Sequence, residues 1–511
     1  MQQEHGVIPA TQLVSKEREV NITRRQFSYG FLGSGLALGL AACSSSPTSG
    51  TKVAAGYSPR PIATTGNLRK LALEARPTKV DLGGRIVDTW AYGDSIPGTV
   101  LRATAGDRVQ VAFKNSLPMP TSVHWHGLAV SNAMDGVPGV TTPETPAGGT
   151  FDFDFVLPDA GTHWFHPHHP LQLDRGLYAP FIIDDPNEPG AYDAEWILVL
   201  DDWTDGVGMS PDQILAGLQA QSGSSGMGGM GGMDMGGMGM GGMGGMGNDG
   251  GDVTYPLYLI NGRAPSDPQT LAAKPGQRVR MRIINSSADT IFTVALAGHD
   301  LQITHTDGFP VQPASTASLR IGMGERYDAI VTLKDGVFPF VGEPLGKLGI
   351  ARALVRTGGG AVPAASFKPS ELAGAPLTVG SLSAGAGTPL PTREPDSVQD
   401  LALGGTMAPY QWTINGDTYD NATPLIINAG QAGRLRITNA TMMSHPMHLH
   451  GHTFQIGAAG GTGPRKDTVL VPPMGAVNVD LVANNPGKWM VHCHNAYHAE
   501  AGMMTRLDYA A

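Results

Sequence analysis

The architecture follows from residues 106–115, Gly-Asp-Arg-Val-Gln-Val-Ala-Phe-Lys-Asn, because the chain repeats their pattern at 276–285 and again at 430–439. In each copy a glycine stands nine residues before an asparagine, and apolar residues alternate with polar ones between them. A period of two is typical of half-buried antiparallel strands. Three copies at intervals of about 150–170 residues predict three related β-sandwich domains.

Length and composition agree with this prediction. The chain has 511 residues, and single domains usually span about 100–200 residues. Seventy glycines and only 15% charged residues favour a turn-rich β protein. We therefore predict an all-β chain with domains at 62–187, 192–360 and 372–511. The formal net charge of −10 provides no basic face, which argues against nucleic acid as a partner.

Residues 1–43 have the features of an export signal. Twin arginines at 24 and 25 precede an apolar run over 31–42, which is too short for a membrane span of about 20 residues. The run ends in Leu-Ala-Ala-Cys, which resembles a bacterial lipobox, so that Cys43 would become the lipidated first residue of the mature protein. We expect twin-arginine export and an extracytoplasmic protein, anchored by lipid to the cell membrane on its periplasmic or cell-envelope face. The alternative is an ordinary N-terminal anchor with an incidental cysteine.

The middle domain contains an insertion of unusual composition. Between 226 and 247 the sequence is almost entirely glycine and methionine, with eight methionines. Glycine at this density makes ordering costly in entropy, so we expect a mobile stretch. Its thioethers are soft ligands that select Cu(I).

Histidines occur in pairs spaced two residues apart. Five His-x-His pairs stand at 124/126, 166/168, 448/450, 450/452 and 492/494. Residues two apart on a strand project from the same face, so one pair can offer two imidazoles to one site. A lone pair is more often structural, but these pairs follow the repeat. Histidines stand nine and eleven residues after the repeat asparagine in the first and third copies, where the middle copy has Val294 and Leu296.

A second match extends the correspondence between the first and third domains. Residues 161–168, Gly-Thr-His-Trp-Phe-His-Pro-His, parallel residues 487–494, Gly-Lys-Trp-Met-Val-His-Cys-His. Each of the two domains therefore supplies four histidines, and the middle domain would act as a spacer. Imidazole suits copper, zinc, iron and nickel, so the set predicts a site for two or three metal ions. The eight histidines are His124, His126, His166, His168, His448, His450, His492 and His494.

Only the third domain adds a second set of ligands. These are His445, Cys493, His498 and Met503. Two histidines, a thiolate and a weak axial methionine are the ligands of a blue-copper electron-transfer site. Because Cys493 lies between two histidines of the cluster, it offers electrons a short covalent route. A free buried cysteine is the alternative.

These motifs resemble those of the three-domain multicopper oxidases, over essentially the whole mature chain. They are His124-Trp125-His126-Gly127, His166-Pro167-His168, His445-Pro446-Met447-His448-Leu449-His450, and His492-Cys493-His494 followed by His498 and Met503. The resemblance implies three cupredoxin-like Greek-key β-sandwich domains and four copper ions: one of type 1, one of type 2 and two of type 3. It also implies one-electron oxidation of a substrate coupled to reduction of dioxygen to water.

The resemblance further implies a distribution of the ligands. Type 1 copper would take His445, Cys493, His498 and Met503; type 2 copper His124 and His448; and the type 3 pair His126, His166 and His494 on one ion and His168, His450 and His492 on the other. Asp135 matches an acidic residue that the family places near the cluster, where it can relay protons; a turn aspartate is the alternative. Several bacterial members have a glutamate where this chain has Ala499, with Glu500 next, so a second proton relay does not follow from the resemblance.

Five further histidines that follow the predicted signal segment are expected to be structural. They are His163, His169, His299, His305 and His452. Of these, His169 and His452 are expected to support metal ligands through hydrogen bonds.

Two features favour Cu(I) as the electron donor. The methionine tract could gather cuprous ions, and Met442 and Met443 lie just before the type 1 ligand His445. The chain thus resembles the methionine-rich cuprous oxidases of bacterial copper resistance. A phenol-oxidising laccase is the main alternative. A ferroxidase is less favoured, because no acidic cluster adjoins the type 1 ligands in sequence, and an extracytoplasmic copper-sequestering lipoprotein is the non-enzymatic alternative.

Overall fold

The computed structural model describes residues 64–188, 190–220 and 249–510. Thirty strands dominate this part of the chain, and its two α-helices are α1 (Pro211–Ala220) and α2 (Ala496–Glu500). Neither helix is long and apolar enough to cross a bilayer. The predicted all-β fold is confirmed. The predicted export signal at 1–43 and the insertion at 226–247 lie outside the described residues.

The first part of the chain forms two four-stranded sheets. Their strand orders are β2-β1-β4-β6 and β3-β8-β7-β5. The strands are β1 (Leu68–Asp81), β2 (Ile86–Tyr92), β3 (Leu101–Thr104), β4 (Arg108–Asn115), β5 (His124–His126), β6 (Thr150–Val156), β7 (Gly161–His166) and β8 (Ala179–Asp184).

The second part forms a six-stranded and a five-stranded sheet. Their orders are β10-β9-β12-β17-β14-β15 and β11-β19-β18-β13-β16. The strands are β9 (Ala194–Trp203), β10 (Leu257–Ile260), β11 (Thr270–Ala272), β12 (Arg278–Asn285), β13 (Phe292–Leu296), β14 (Leu301–Thr306), β15 (Phe309–Thr316), β16 (Leu319–Ile321), β17 (Arg326–Thr332), β18 (Val337–Pro344) and β19 (Ala351–Arg356).

The third part again forms a six-stranded and a five-stranded sheet. Their orders are β21-β20-β23-β28-β25-β26 and β22-β30-β29-β24-β27. The strands are β20 (Ser397–Met407), β21 (Tyr410–Ile414), β22 (Leu425–Ile427), β23 (Ala432–Asn439), β24 (His445–Leu449), β25 (Phe454–Ile456), β26 (Arg465–Lys466), β27 (Thr468–Val471), β28 (Ala476–Val482), β29 (Lys488–Cys493) and β30 (Met504–Tyr509).

The same two parallel pairings recur in every part. In one sheet the first strand runs parallel to the strand of the repeat, as β1 with β4, β9 with β12 and β20 with β23. In the other sheet β3 pairs with β8, β11 with β19 and β22 with β30. Most other pairings are antiparallel, so each part is a two-sheet sandwich whose inner faces exclude water.

The repeat asparagine has a structural explanation. Asn115, Asn285 and Asn439 end β4, β12 and β23, and each side-chain amide donates to at least two backbone carbonyls, one in the loop that follows and one later in the same domain. Each side-chain oxygen accepts the backbone N–H two residues later, which forms an Asx turn. The loop is thereby fixed, and the first cluster histidine stands nine residues after the asparagine in both the first and the third domain.

Buried apolar side chains join the parts into one body. The interior of the first sandwich is separate and includes Phe113 and Trp125. A single larger core runs through the second and third parts. A smaller cluster, which includes Trp164 and Trp203, packs the first part against the second. This packing holds the first and third sandwiches in a fixed relation, which a site shared between them requires.

Candidate metal centre

The type 1 set lies inside the third sandwich. Strand β29 ends at Cys493, and helix α2 then turns the chain back so that His498 faces the thiol. Asn495 starts this helix by accepting the backbone N–H groups of residues 497 and 498 through its side chain. Cys493 Sγ lies 3.7 Å from His445 Nδ1 and 3.8 Å from His498 Nδ1.

These groups are sealed from water. The side chains of His445, Cys493, His498 and Met503 are wholly buried, and the thiol is free. The backbone N–H of Cys493 donates to the carbonyl of Met503 at 3.0 Å, which places the methionine beside the cysteine. Burial, and then the neighbouring His498, hold the pKa of His445 well below its usual range. The ring therefore stays neutral, as a metal ligand must be.

The outer edges of the two type 1 imidazoles are covered. His445 Nε2 lies 2.8 Å from Thr441 Oγ1, and His498 Nε2 lies 3.0 Å from Asp252 Oδ2. Burial by itself lowers the pKa of His498, but the charge of Asp252, with a contribution from Cys493, raises it to about 10, so a copper ion bound here would displace a proton from this ring. Asp252 belongs to the middle part of the chain, between α1 and β10. Sequence reasoning missed it, because no local pattern links residue 252 to residue 498.

The eight cluster histidines meet at the interface of the first and third sandwiches. Register explains the symmetry: His124 faces His166 across β5 and β7, as His448 faces His492 across β24 and β29. Rings of the two domains then stack crosswise. His124 stacks on His450 with ring centroids 3.8 Å apart, and His126 stacks on His448 at 3.9 Å.

Ring nitrogens group in a way that can hold several ions. His168, His450 and His492 offer nitrogens within 4.8 Å of one another, and so do His124, His448 and His450. His166 Nε2 lies 3.3 Å from His494 Nε2, with the ring of His126 4.9 Å from that of His494. These groups contain the sets that the family resemblance implies for the type 3 and type 2 ions.

Several ring nitrogens of the cluster lack a hydrogen-bond partner, which is consistent with metal binding. Five of its ring nitrogens are buried without a hydrogen-bond partner, a costly state for a polar atom unless a ligand satisfies it. They are His124 Nε2, His126 Nδ1, His168 Nε2, His448 Nε2 and His494 Nδ1. Burial and mutual repulsion keep the pKa of most of these imidazoles well below the usual range. Neutral imidazoles at this density suit copper.

Two aspartates orient histidines of both domains. The backbone carbonyl of Asp135 accepts from His124 Nδ1 at 2.8 Å, and its carboxylate accepts from His450 Nδ1 at 3.0 Å. The carbonyl of Asp467 accepts from His448 Nδ1 at 2.9 Å, and its carboxylate lies 3.1 Å from His126 Nε2. Sequence reasoning found Asp135 and missed Asp467, which stands 28 residues after its repeat asparagine where Asp135 stands 20 after.

A cavity reaches the cluster from the side of α2. It has a volume of about 50 Å³, and its lining includes His168, His492, Ala499 and Glu500. Burial raises the pKa of Glu500 to about 7. The carboxylate thus faces the same cavity as Ala499, one residue later in the chain than the resemblance would place it.

The two predicted substrate methionines differ in environment. Met442 is 56% exposed, whereas Met443 packs against the core of the third sandwich. A third methionine, Met474, is 66% exposed, and its backbone N–H donates to the carbonyl of Thr441 at 3.0 Å. Sequence reasoning missed Met474 because it lies in a separate turn. The Asp249 carboxylate accepts hydrogen bonds from the backbone and side chain of Ser444, next to these methionines.

The other histidines contact protein groups. His452 donates to the carbonyl of His450 at 3.1 Å and lies 2.7 Å from Tyr509 Oη. His169 lies 3.2 Å from the amide nitrogen of Gln172 and lines the cavity. His299 and His305 have partners within the middle part, at Ala297 and Thr304. His163 is buried, and burial lowers its pKa to about 3.

Comparison with known proteins places this arrangement in a family. Three domain profiles described as multicopper oxidase match residues 74–188, 195–359 and 392–510. The multicopper oxidase MmcO of Mycobacterium tuberculosis is 50% identical over 95% of this chain and 97% of its own, and copper resistance protein A of Escherichia coli is 27% identical over 94% and 98%. The crystal structure of Fet3p shares the fold, with a TM-score of 0.73 at 20% identity over 87% of this chain and 90% of that one. The chain belongs to the multicopper oxidase family.

Proposed function

We propose that the chain oxidises Cu(I) one electron at a time, uses the electrons to reduce dioxygen to water, and acts in copper tolerance. The main observation in favour of Cu(I) as the electron donor is that protein groups cover the predicted type 1 site. His498 is wholly buried, and its outer nitrogen contacts the carboxylate of Asp252. A phenol would need an open imidazole edge to lie against, whereas a carboxylate attracts a small cation.

Soft ligands stand beside the loop that carries the predicted type 1 ligand His445. Met442 and Met474 are exposed next to the loop that carries His445, and Asp249 contacts the same loop. Thioethers prefer Cu(I) to Fe(II) or Cu(II). The relatives named copper resistance protein A support a role in copper tolerance. The methionine tract at 226–247 ends just before Asp249, so it would deliver ions to this side.

Within the chain, each group has a definable task. Four copper ions at the ligands described would supply one-electron acceptance and dioxygen reduction. Cys493 is joined through the backbone to two cluster histidines, which offers electrons a covalent route to the cluster. The carbonyl of Cys493 also accepts a hydrogen bond from His492 Nδ1 at 2.8 Å, which offers a second and shorter route. Asp135 would pass protons to the cluster: its Oδ1 is buried and unpartnered, and Thr141 Oγ1 lies 3.4 Å from its Oδ2.

We propose in addition that the protein is exported by the twin-arginine route and held at the membrane by a lipid on Cys43. The support is the sequence of residues 1–43 alone, with its arginine pair and its small residues before the cysteine.

The test is dioxygen uptake by the copper-loaded protein with Cu(I) as donor. Replacing Met442 and Met474 together by leucine should raise the KM for Cu(I) several-fold and leave phenol oxidation unchanged. The matched control is Met119→Leu. Met119 is the counterpart of Met443 in the first domain, because the backbone carbonyl of each accepts a hydrogen bond from the repeat asparagine of its own domain. Met119 is exposed, as Met442 and Met474 are.

The other functions give different results. Faster turnover with phenols than with Cu(I) would identify a laccase. Stoichiometric Cu(I) binding without dioxygen uptake would identify a copper-sequestering protein. An unchanged KM for Cu(I) in the double variant would reject the two methionines as the docking site.

A further inference from the structure

Arg326 and Asp467 form a wholly buried ion pair beside the cluster. Arg326 begins β17 in the middle part, Asp467 directly precedes β27 in the third, and neither side chain is exposed. Arg326 Nη1 and Nη2 lie 2.7 Å from Asp467 Oδ1 and Oδ2 respectively. Such a bidentate fork is directional as well as strong. Burial of two charges brings little net stability, because desolvation offsets their attraction. Stability therefore does not explain the pair, and its role must be sought in the residues that it contacts.

The carboxylate of the pair contacts a cluster histidine of the opposite domain. Asp467 Oδ1 lies 3.1 Å from His126 Nε2, and Thr468 Oγ1 lies at the same distance from that nitrogen. A carboxylate only accepts, so Nε2 carries the proton and donates it. The proton is then absent from His126 Nδ1, which is buried and unpartnered. Asp467 thereby selects the tautomer in which Nδ1 is free to bind a metal.

Arg326 connects all three domains by hydrogen bonds close to His126. Its Nε donates to the carbonyl of Thr162 on β7 at 3.0 Å, four residues before the cluster ligand His166. Its backbone N–H donates to Asp307, whose other oxygen accepts the N–H of Thr468 at 3.1 Å. The middle part is therefore more than the spacer that the sequence suggests.

The glycine of the first histidine motif makes room for the pair. Gly127 has φ +81°, and a Cβ built there would collide with Arg326 Nη2 and would lie 2.5 Å from Asp467 Oδ2. The residue after His126 must therefore lack a side chain for the arginine to reach the aspartate. Asp135 orients histidines in the same way on the other side of the cluster, but among the described residues no arginine or lysine pairs with it.

We propose that Arg326 is a positioning residue for the cluster. It holds the Asp467 carboxylate in one orientation, and that carboxylate fixes His126 as the tautomer that presents Nδ1 to copper. The middle domain thus controls copper occupancy of a site to which it contributes no ligand. This role is independent of which donor reduces the enzyme.

The test compares Arg326→Met with Arg280→Met in the full chain. Arg280 is an equally suitable buried arginine of the same domain, since it pairs with Asp328 and Glu188 and contacts no cluster histidine. Copper per chain and blue absorption are measured after reconstitution with increasing copper. In Arg326→Met the cluster should bind copper about 10- to 100-fold more weakly, the usual effect of losing such a partner, while the blue absorption per chain stays unchanged. Arg280→Met should bind four ions as the parent does.

Full copper occupancy in Arg326→Met overturns the proposal, whereas parallel loss of cluster copper and blue absorption means that this variant does not fold. If Arg326→Met does not fold, Arg326→Lys and Asp467→Asn decide. The lysine keeps the charge but not the fork and should recover part of the copper. The asparagine keeps the volume but turns an N–H towards either Arg326 or His126, so it should lose cluster copper; four bound ions in that variant would refute the role.

Discussion

Asn439→Ala should destabilise the third domain and disturb the type 1 site together. The side-chain amide of Asn439 donates to the carbonyls of Met443 at 2.7 Å and Pro472 at 2.9 Å. Its oxygen accepts the N–H and the hydroxyl of Thr441 at 2.9 and 2.8 Å. Four hydrogen bonds at about 1 kcal/mol each give a loss of about 4 kcal/mol in the free energy of unfolding. Because Thr441 also contacts His445, the blue absorption should shift or weaken.

The matched control is Asn285→Ala in the middle domain. Asn285 makes the corresponding bonds to the carbonyls of Thr290 and Ile321 and accepts the N–H of Ser287, so about 3 kcal/mol should be lost. Denaturant unfolding of the copper-free variants, followed by tryptophan fluorescence, measures the loss, and absorption of the copper-loaded variants reports on the type 1 site. A loss below about 1 kcal/mol for Asn439→Ala, or an equal change of blue absorption in both variants, would refute the reasoning.

Further predictions concern the metal sites, the pH dependence and the N-terminus. Cys493→Ser should abolish the blue colour and the oxidase activity while the fold survives, and retained colour would contradict the assignment. Met503→Leu should raise the type 1 potential, because the loss of a weak sulfur donor disfavours Cu(II); a redox titration checks the sign. Burial raises the pKa of Asp174 well above its usual value, so the folded protein keeps a proton that the unfolded chain releases, and stability should fall as pH rises from about 4. Asp174→Asn should reduce this slope in thermal unfolding between pH 5 and 8, and parallel curves would speak against it. Deleting 226–247 should weaken Cu(I) oxidation at low copper but not phenol oxidation, and superimposed Cu(I) curves would make the tract a spacer. Cys43→Ser should release the mature protein from the membrane fraction, which cell fractionation measures.

Features that repeat, or that lie close together in the chain, could be predicted from the amino-acid sequence. Alternation with a period of two predicted the strands, and a constant distance from the repeat asparagine to the cluster histidines marked the histidine pairs, because both depend on local backbone geometry. The residues predicted to be type 1 ligands could be recognised in the sequence for the same reason. Cys493, His498 and Met503 lie within one strand, one short helix and the following turn.

The side chains that surround the predicted ligands could be identified only from the tertiary structure. Asp252 reaches His498 across 246 residues of chain, and Arg326 reaches Asp467 across 141. Met474 comes next to Thr441 because two loops meet where β24 begins and β27 ends. Such contacts leave no period or spacing in the sequence, since they depend on how three sandwiches pack against one another. For the same reason the sequence predicts that the middle domain is only a spacer. In the folded chain its Asp252 covers the predicted type 1 site, and its Arg326 holds the aspartate that contacts His126.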